Sequence, residues 1–396
     1  MPAHGGRTDG ARHDPRPAMV TLRTARSLWA MRIPLITAAL LIGCQAMPDD
    51  TAADPDQTEA ALVADPVKQI FDEVDGARIT QSLREVSGAA PVMVEGQTIV
   101  INERFSSDGR KNFRNYFTQA MQDLGLEIHQ FHYQAARHPR PGDNVEAILR
   151  GRSADSVIVI VHYDSIGPRG RETQNPGADD DMSGMAILLE TARLFALHRA
   201  ELTYTVRFVA SDEEELGGLA GARNYAAYIK ALSQTEGFAL VAAVDDEQSG
   251  WNCSADKRCG DNTFPTFDVF SCGSGGGRSF DFPAIGDQLE AVARAYSPLH
   301  VTRGCLGANS DHFAMWEIGA PSVVYSEHNP FANPHFDQSG GDTFDKIDLA
   351  YLISIARPAI AFQAALAGIQ PRSPTGGTTL ATGRQVGAAV RGSSDM

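Results

Sequence analysis

Three segments of the chain combine apolar runs with acidic residues or histidine. They are VIVIVHYDS at residues 157–165, NPGADDDMSG at 175–184 and RFVASDEEELGG at 207–218. An apolar β-branched run that stops at ligand-type side chains is typical of an α/β protein, which presents sites at the carboxyl ends of its strands. Carboxylates in this number repel one another unless a positive charge lies among them. A pair of divalent metal ions is the simplest source of that charge.

From residue 156 onward the pattern alternates between strands and helices. After a first strand we predict a helix at 184–197, a strand at 203–210, a helix at 219–232 and a strand at 238–244. Such alternation indicates an α/β fold, in which a mostly parallel, mixed sheet is covered by helices on both faces.

Further elements are predicted on either side of this core. Before it come a helix from residue 70, a second helix between Ser106 and Gly125, and strands at 126–133 and 144–149; after it come a helix at 282–295, a strand at 322–326 and a last helix at 346–366. Residues 246–280 are rich in Gly, Cys and Ser, and we predict a loop region held by disulfides. One domain at residues 67–369 fits this pattern.

Residues 1–44 have the features of an export signal. Arginines precede an apolar stretch at residues 33–42, whose end, LIGC, resembles a bacterial lipobox. We therefore expect Cys44 to carry a lipid anchor to a membrane, with an ordinary signal peptide and a secreted protein as the alternative. Because Gln45 follows the cysteine, we expect an exported, outer-membrane lipoprotein that faces the periplasm or the cell surface.

The segments on either side of the domain are predicted to lack regular structure, and the overall charge argues against one class of partner. Residues 45–66 are acidic, rich in Ala and Pro and without periodicity, which predicts a linker, and the Gly/Ser/Thr-rich residues 370–396 are predicted to be a disordered tail. The formal charge of −15, from 34 basic and 49 acidic residues, argues against a nucleic-acid partner.

Apart from Cys44 the chain has an even number of cysteines, namely Cys253, Cys259, Cys272 and Cys305. In an exported protein this predicts disulfides, and three pairings are possible. We favour the short loop Cys253–Cys259 together with Cys272–Cys305. A zinc site is the alternative, and the absence of CxxC pairs argues against it.

The ligand-type residues follow the predicted strands. His162 ends the first central strand, and an Asp two residues later, Asp164, can hold the other ring nitrogen of a zinc-bound imidazole. Three aspartates, 179–181, precede a helix whose cap is Asp181 or Ser183, and three are more than capping requires.

The remaining candidates lie further along the chain. Consecutive glutamates usually form a solvated face, but glutamates 213–215 stand between an apolar strand and a Gly-Gly turn, where their mutual repulsion has to be offset. Asp245 and Asp246 follow the next strand, and His335 lies in a polar loop before the last helix.

In this order the segments resemble peptidase family M28, the co-catalytic dizinc aminopeptidases typified by bacterial secreted leucine aminopeptidases. The family pattern is HxD, GADD-x-SG, EE-x-G near a strand end, an Asp after the next strand and a His in an NP…H…DT loop. The chain carries the whole series across about residues 100–350, and its Ser-Asp-His segment at 310–312 matches a further recurrent motif. The resemblance implies the fold of the zinc-dependent exopeptidases, which is phosphorylase/hydrolase-like, peptide substrates and two zinc ions per chain.

The resemblance also implies a role for each matching residue. One zinc is expected on His162 and Asp245 and the other on Glu215 and His335, with Asp180 bridging both. Glu214 would be the general base, and Asp164 would support catalysis by orienting His162. Counting from Phe208 favours the pair Glu214 and Glu215 over Glu213 and Glu214, and Asp245 is preferred to Asp246 because it comes first after the apolar run.

The predicted activity is hydrolysis of the N-terminal peptide bond by a water that the two zinc ions hold and Glu214 deprotonates. Only the resemblance indicates that the amino end is the one recognised. The alternatives are a single-zinc glutaminyl cyclase of the same superfamily, which shares the HYDS string, and an inactive binding domain. An inactive domain would be expected to lose Glu214 or a ligand, and all of these residues are present.

Overall fold

The computed structural model describes residues 65–134, 141–167, 175–215, 218–260, 264–307, 309–335 and 341–370. The expected signal segment with Cys44, nearly all of the expected linker and nearly all of the expected tail lie outside these residues.

Eight α-helices and eleven strands lie in the described part of the chain. The helices are α1 Pro66–Glu73, α2 Gly76–Val86, α3 Ser107–Asp123, α4 Met182–Leu197, α5 Ala220–Glu236, α6 Pro283–Tyr296, α7 His312–Ile318 and α8 Leu349–Leu366. The strands are β1 Val92–Val94, β2 Gln97–Ile99, β3 Glu127–Gln134, β4 Pro141–Leu149, β5 Ser153–His162, β6 Tyr204–Ser211, β7 Leu240–Asp246, β8 Thr266–Gly275, β9 Arg278–Asp281, β10 His300–Gly307 and β11 Ser322–Glu327.

One mixed sheet organises the molecule. Its strand order is β10-β8-β11-β7-β5-β6-β4-β3, with β9 paired to β8, and β1 and β2 form a separate hairpin. The four central strands β11, β7, β5 and β6 are parallel to one another. On one side β4 runs antiparallel to β6, and β3 runs antiparallel to β4. On the other side β8 runs antiparallel to β11. The prediction of a mostly parallel, mixed α/β sheet is confirmed.

Both faces of the central strands are covered. Successive side chains of a strand point to opposite faces, and in β5 the residues Val157, Val159 and Val161 join the core that contains α4 and α8. Ile158 and Ile160 join a second core formed with α5 and α7. Burial on both faces explains why β5 is a continuous apolar run rather than an alternating one.

Side chains at the helix ends determine where helices begin. The Ser106 side chain accepts a hydrogen bond from the Gly109 N–H at the start of α3, and Asp181 accepts one from the Gly184 N–H at the start of α4. Each bond satisfies a backbone donor that the first turn of a helix leaves unpaired. The aspartate turn before α4 is thereby joined directly to the helix.

The region 246–280 differs from the prediction. It contains β8 and the start of β9 in addition to loop, and the chain then forms β10 and α7, which the sequence pattern did not indicate. Glycine and serine replace the apolar alternation in the second half of β8, FSCGSG, because that end of the strand is only half-buried. Its pairing with β10 stabilises it instead.

Both favoured disulfides are confirmed. Cys253 and Cys259 close a short loop with 5.3 Å between their Cα atoms. Cys272 on β8 and Cys305 on β10 are register partners whose Cα atoms are 4.6 Å apart. The second bond ties the edge strand β10 to the sheet.

The last helix begins later than predicted, at Leu349, because the Asp348 side chain caps it. By length and composition α8 is apolar enough to cross a membrane, but 67% of its apolar window is buried inside the molecule. Such burial is typical of the core helix of a globular protein.

Candidate metal centre

The predicted ligand residues lie at one edge of the central sheet. The strands β7, β5 and β6 are neighbours, and their carboxyl ends lead to Asp245, His162 and the glutamates 213–215. The aspartates 179–181 come from the loop between β5 and α4. A shared edge of parallel strands is where α/β proteins form sites.

Three side chains form a compact group of donors. His162 Nε2 is 3.0 Å from Asp180 Oδ1 and 3.9 Å from Glu247 Oε1. Each of these three residues has a ligand atom within 4.8 Å of a ligand atom of both others, and all three residues are buried. One imidazole and two carboxylates are a donor set that zinc accepts.

Asp245 does not belong to this group, and the third member is Glu247, which the sequence analysis did not select. The Asp245 carboxylate points to His312, where its Oδ2 accepts hydrogen bonds from the backbone N–H at 2.8 Å and from the ring Nδ1 at 3.0 Å. Strand parity puts residues 245 and 247 on the same side of the chain. Glu247 follows Asp246, the last residue of β7, and its Oε1 atom lies 3.9 Å from His162 Nε2.

The three consecutive glutamates point in different directions. Glu213 Oε1 is 2.6 Å from the Nη1 atom of Arg110, which also contacts Asp212, in a buried ion pair. Glu214 and Glu215 instead line the cavity that contains His162 and Asp180. The two glutamates that line the cavity are the pair that the sequence analysis favoured.

Asp164 connects the histidine to the glutamate segment. His162 Nδ1 is 3.3 Å from the backbone oxygen of Asp164 and 3.7 Å from its Oδ1. The two carboxylate oxygens accept the backbone N–H groups of Glu214 at 3.0 Å and Glu215 at 3.3 Å. One side chain thus sets the positions of the candidate ligand and of both candidate glutamates.

Asp342 holds the turn that carries the three aspartates 179–181. Asp342 accepts the backbone N–H of Asp179 at 2.7 Å and that of Asp180 at 2.9 Å. The Asp179 side chain accepts the Gly250 N–H and the Asn333 amide, and it points away from the donor group. Of the three aspartates, Asp180 alone is in the group with His162 and Glu247.

A fully buried arginine joins the two loops that carry these residues. Arg104 donates from Nε to the carbonyl of Tyr163 at 2.6 Å and from Nη2 to that of Gly177 at 3.2 Å. Gly177 has a φ of +53°, and a Cβ there would overlap the backbone oxygen of Asp180. The turn therefore requires glycine at this position.

The structure does not bring His335 into the donor group. Its backbone N–H donates to Asn333 Oδ1 at 2.9 Å, and the residue is half-buried. Its ring is not among the cavity-lining side chains of the described residues, and residues 336–340, which follow it, lie outside them. The two other histidines of this region pair with aspartates, His312 with Asp245 and His328 with Asp268.

The cavity has a volume of about 180 Å³, and its lining mixes polar and apolar side chains. The donor group, Glu214, Glu215 and Gln248 belong to the lining. The other lining residues are Leu306, Asn309, Ser310, Val324, Ser326, Pro330 and Phe331. The sequence analysis missed Glu247, Gln248 and the apolar members of the lining; strand parity from Asp245 was the available signal for Glu247.

The electrostatics of the cavity favour a cation. Burial raises the pKa of Glu214 and of Glu215 well above the ordinary carboxyl range, and neighbouring carboxylates add to the effect. Burial, with Asp245 and Asp180 nearby, raises the pKa of Glu247 to about 8. The Oε1 atom of Glu215 is buried with no hydrogen-bond partner. Carboxylates held out of water in this way lose their mutual repulsion when a cation binds among them.

The family model for peptidase family M28 matches residues 144–363, more than half of the chain. The chain belongs to peptidase family M28. Among curated relatives of this M28 chain, leucine aminopeptidase 1 of Coccidioides posadasii is 26% identical over 255 residues, 63% of this chain and 62% of that protein. A probable leucine aminopeptidase of Trichophyton verrucosum is 27% identical over 235 residues, 57% of this chain and 56% of that protein. The M28 chain thus spans less than two thirds of the length of these relatives.

Solved structures share the fold. The LapA aminopeptidase of Legionella pneumophila matches with a TM-score of 0.58 and 18% identity over 76% of this chain and 74% of that one. BSAP, a zinc aminopeptidase from Bacillus subtilis, has a TM-score of 0.56 and 15% identity over 74% and 95%. A glutaminyl cyclase from Fimbriiglobus ruber has a TM-score of 0.56 and 17% identity over 73% and 95%. At these identities the likeness concerns the fold, and M28 chains share it with glutaminyl cyclases.

Proposed function

We propose that the protein is a zinc-dependent aminopeptidase that hydrolyses the N-terminal peptide bond of peptides. The observation that carries the proposal is the cavity in which His162, Asp180 and Glu247 form a donor group beside Glu214 and Glu215. Membership of peptidase family M28 and the leucine aminopeptidase relatives support the choice of reaction.

The residues present fit zinc, and each takes a distinct part. His162, Asp180 and Glu247 would hold one ion, and Asp180, Glu215 and His335, the remaining ligands that the family resemblance implies, are the candidates for a second. Zinc bound there supplies Lewis acidity for the scissile carbonyl and for the attacking water.

Glu214 is the candidate general base. Its backbone is fixed by Asp164, and its side chain lies in the cavity outside the donor group. We propose that its carboxylate takes the proton from the attacking water and returns it to the leaving amine. Asp164, which is not itself a lining residue, is proposed to position His162 and Glu214.

The lining favours a peptide with an apolar first residue. Leu306, Val324 and Phe331 face the same cavity as the carboxylates. A free α-amine is attracted to the carboxylates, and an apolar side chain gains free energy by leaving water against the apolar lining residues.

Glutaminyl cyclase is the second candidate, because a structure of that activity matches the fold with the same TM-score as a zinc aminopeptidase. The two reactions leave different products. A peptidase releases the first residue and shortens the chain, whereas a cyclase releases ammonia and leaves the chain length unchanged.

Mass spectrometry of two synthetic peptides separates the candidates. One begins with Leu and the other with Gln, and both are incubated with the purified protein with and without a chelator. Chelator-sensitive release of free Leu supports the aminopeptidase. Ammonia loss from the Gln peptide alone would replace it with the cyclase, and no change in either peptide after zinc is supplied would favour an inactive domain.

A further inference from the structure

Glu213 has a backbone conformation that residues with a side chain rarely adopt. Its φ is +59°, in the left-handed region, where a Cβ atom strains the chain. The residue is only 1% exposed, and Glu214 and Glu215, which line the cavity, follow it directly. Such a conformation persists only where the surroundings hold it, and it is common at functional sites. The contacts that hold Glu213 therefore help to place the two cavity glutamates.

A buried arginine on α3 contacts the Glu213 side chain. Arg110 Nη1 is 2.6 Å from Glu213 Oε1 and 3.0 Å from Asp212 Oδ2, and the three side chains are at most 4% exposed. Opening such a pair would leave a buried charge uncompensated, which is strongly unfavourable. Because Arg110 and Glu213 are 103 residues apart in the sequence, the pair ties the glutamate segment to a separate element, the helix α3.

Asp212, which precedes Glu213, is held by two strands. Its N–H donates to Asn144 Oδ1 at 3.0 Å, and its carbonyl accepts the Tyr133 hydroxyl at 2.8 Å. Asn144 lies on β4 and Tyr133 on β3. The chain therefore enters the turn at a fixed point, and the direction in which it leaves depends on the backbone of Glu213.

We propose that Arg110 positions the candidate general base, Glu214. Its ion pair with Glu213 holds the left-handed backbone there, and this conformation directs Glu213 to Arg110 while Glu214 enters the cavity. Arg110 is not among the lining residues of the described chain, so it acts through Glu213 rather than on the substrate or the metal. The inference rests on the proposed aminopeptidase function and deepens it.

Steady-state kinetics of the full-length, zinc-loaded protein separate a positioning role from a role in stability alone. For each variant kcat, KM, zinc content and the folded fraction are measured on the same sample. Arg110→Met removes the charge and keeps an unbranched side chain. It should lower kcat about tenfold to hundredfold per folded molecule, because a small displacement of a catalytic group has a cost of that order. KM and zinc content should change little, since the ligands and the lining stay in place.

Two substitutions of Glu213 test its backbone directly, and they carry the test even if Arg110→Met is unstable. Glu213→Gly and Glu213→Ala both remove the carboxylate, but only glycine adopts a positive φ without strain. Glu213→Ala should therefore lower kcat about fivefold more than Glu213→Gly does. Adding Glu213→Gly to Arg110→Met should restore part of the lost kcat, because the double variant has neither an unpaired carboxylate nor a strained backbone at this position.

A matched control lies one turn further along α3. Arg114 Nη2 is 3.1 Å from Asp143 Oδ2, and its Nη1 donates to the Tyr163 hydroxyl at 3.1 Å. Arg114→Met removes the same charge from the same helix without breaking the pair with Glu213. Its kcat should equal that of the wild type.

Four outcomes would overturn the inference. They are an unchanged kcat in Arg110→Met, zinc loss in parallel with its activity, an equal loss of kcat in Arg114→Met, and equal kcat values in Glu213→Ala and Glu213→Gly. A wild type without zinc-dependent hydrolysis would overturn the proposed function itself and the inference with it, and this failure is recognised before any variant is compared.

Discussion

Glu214 lies beside the donor group while its backbone N–H is bound by Asp164. We predict that Glu214→Gln keeps the metal and lowers kcat about a hundredfold to ten-thousandfold, because the amide hydrogen-bonds but cannot accept a proton. Steady-state hydrolysis and zinc content are measured on the same samples. Zinc loss in parallel with activity would make Glu214 a ligand and move the general base elsewhere.

Glu247 and Asp245 form a second test at the residue scale. Glu247→Ala should weaken zinc binding more than about a hundredfold, since a ligand contributes more than the outer groups whose loss costs ten- to a hundredfold. Asp245→Asn is the matched comparison and should change zinc affinity less than about tenfold, because Asp245 binds His312. The reverse ranking in a competitive chelator titration would return the ligand role to Asp245.

Cavity residues that belong to a sequence motif were predictable. Those that are brought to the cavity only by the geometry of a strand end were harder to predict. His162, Asp180, Glu214 and Glu215 lie in the cavity as the sequence pattern predicted. Glu247 was missed because the first acidic residue after an apolar run is the natural choice, and the strand parity that places residue 247 on the same side as Asp245 was not applied.

At the scale of elements, a histidine joins α1 to the end of α4. His198 Nε2 is 2.6 Å from Glu73 Oε2, and Nδ1 is 2.6 Å from Glu201 Oε2. Burial alone would lower the pKa of His198, but the hydrogen bonds to both carboxylates outweigh it and raise the pKa above 6.5. The folded state therefore binds this proton more tightly than the unfolded state.

A raised folded-state pKa gives a stabilisation that is complete below the unfolded pKa and lost as pH rises through the folded value. We predict that His198→Gln destabilises the protein by roughly 1 kcal/mol at acidic pH and by less at alkaline pH. Thermal unfolding of both proteins across the pH range measures the difference. A difference that is constant with pH, or that grows towards alkaline pH, would rule out the charged bridge.

Elements with strong periodicity were predictable, and those stabilised by pairing were not. The runs that became β5, β6 and β7 are continuous and apolar because helices cover both faces. In contrast, β8 and β10 are rich in glycine and cysteine, and the Cys272–Cys305 bond and their mutual register hold them together. Pairing between segments about 30 residues apart leaves no local periodic pattern.

For the whole molecule, the fold class was predictable because alternating strands and helices permit few arrangements.

The location of the protein in the cell is a separate question, since residues 1–64 lie outside the described part. We predict that Cys44 carries lipid and that Cys44→Ser blocks processing or releases soluble protein while leaving turnover unchanged. Detergent phase partitioning with mass spectrometry of the N-terminus measures this. A mature wild-type chain that starts beyond residue 44 and stays in the aqueous phase would establish a secreted protein instead.

In the proposed function, bound zinc makes this cavity an aminopeptidase site. Its most direct test is hydrolysis of aminoacyl-p-nitroanilides by the purified protein before chelation, after chelation and after zinc is returned, with metal content measured each time. We predict that activity falls and recovers with the zinc content, and that apolar first residues such as Leu are cleaved fastest. Full activity in metal-free protein, or no activity in zinc-loaded protein, would contradict the proposed zinc-dependent aminopeptidase function.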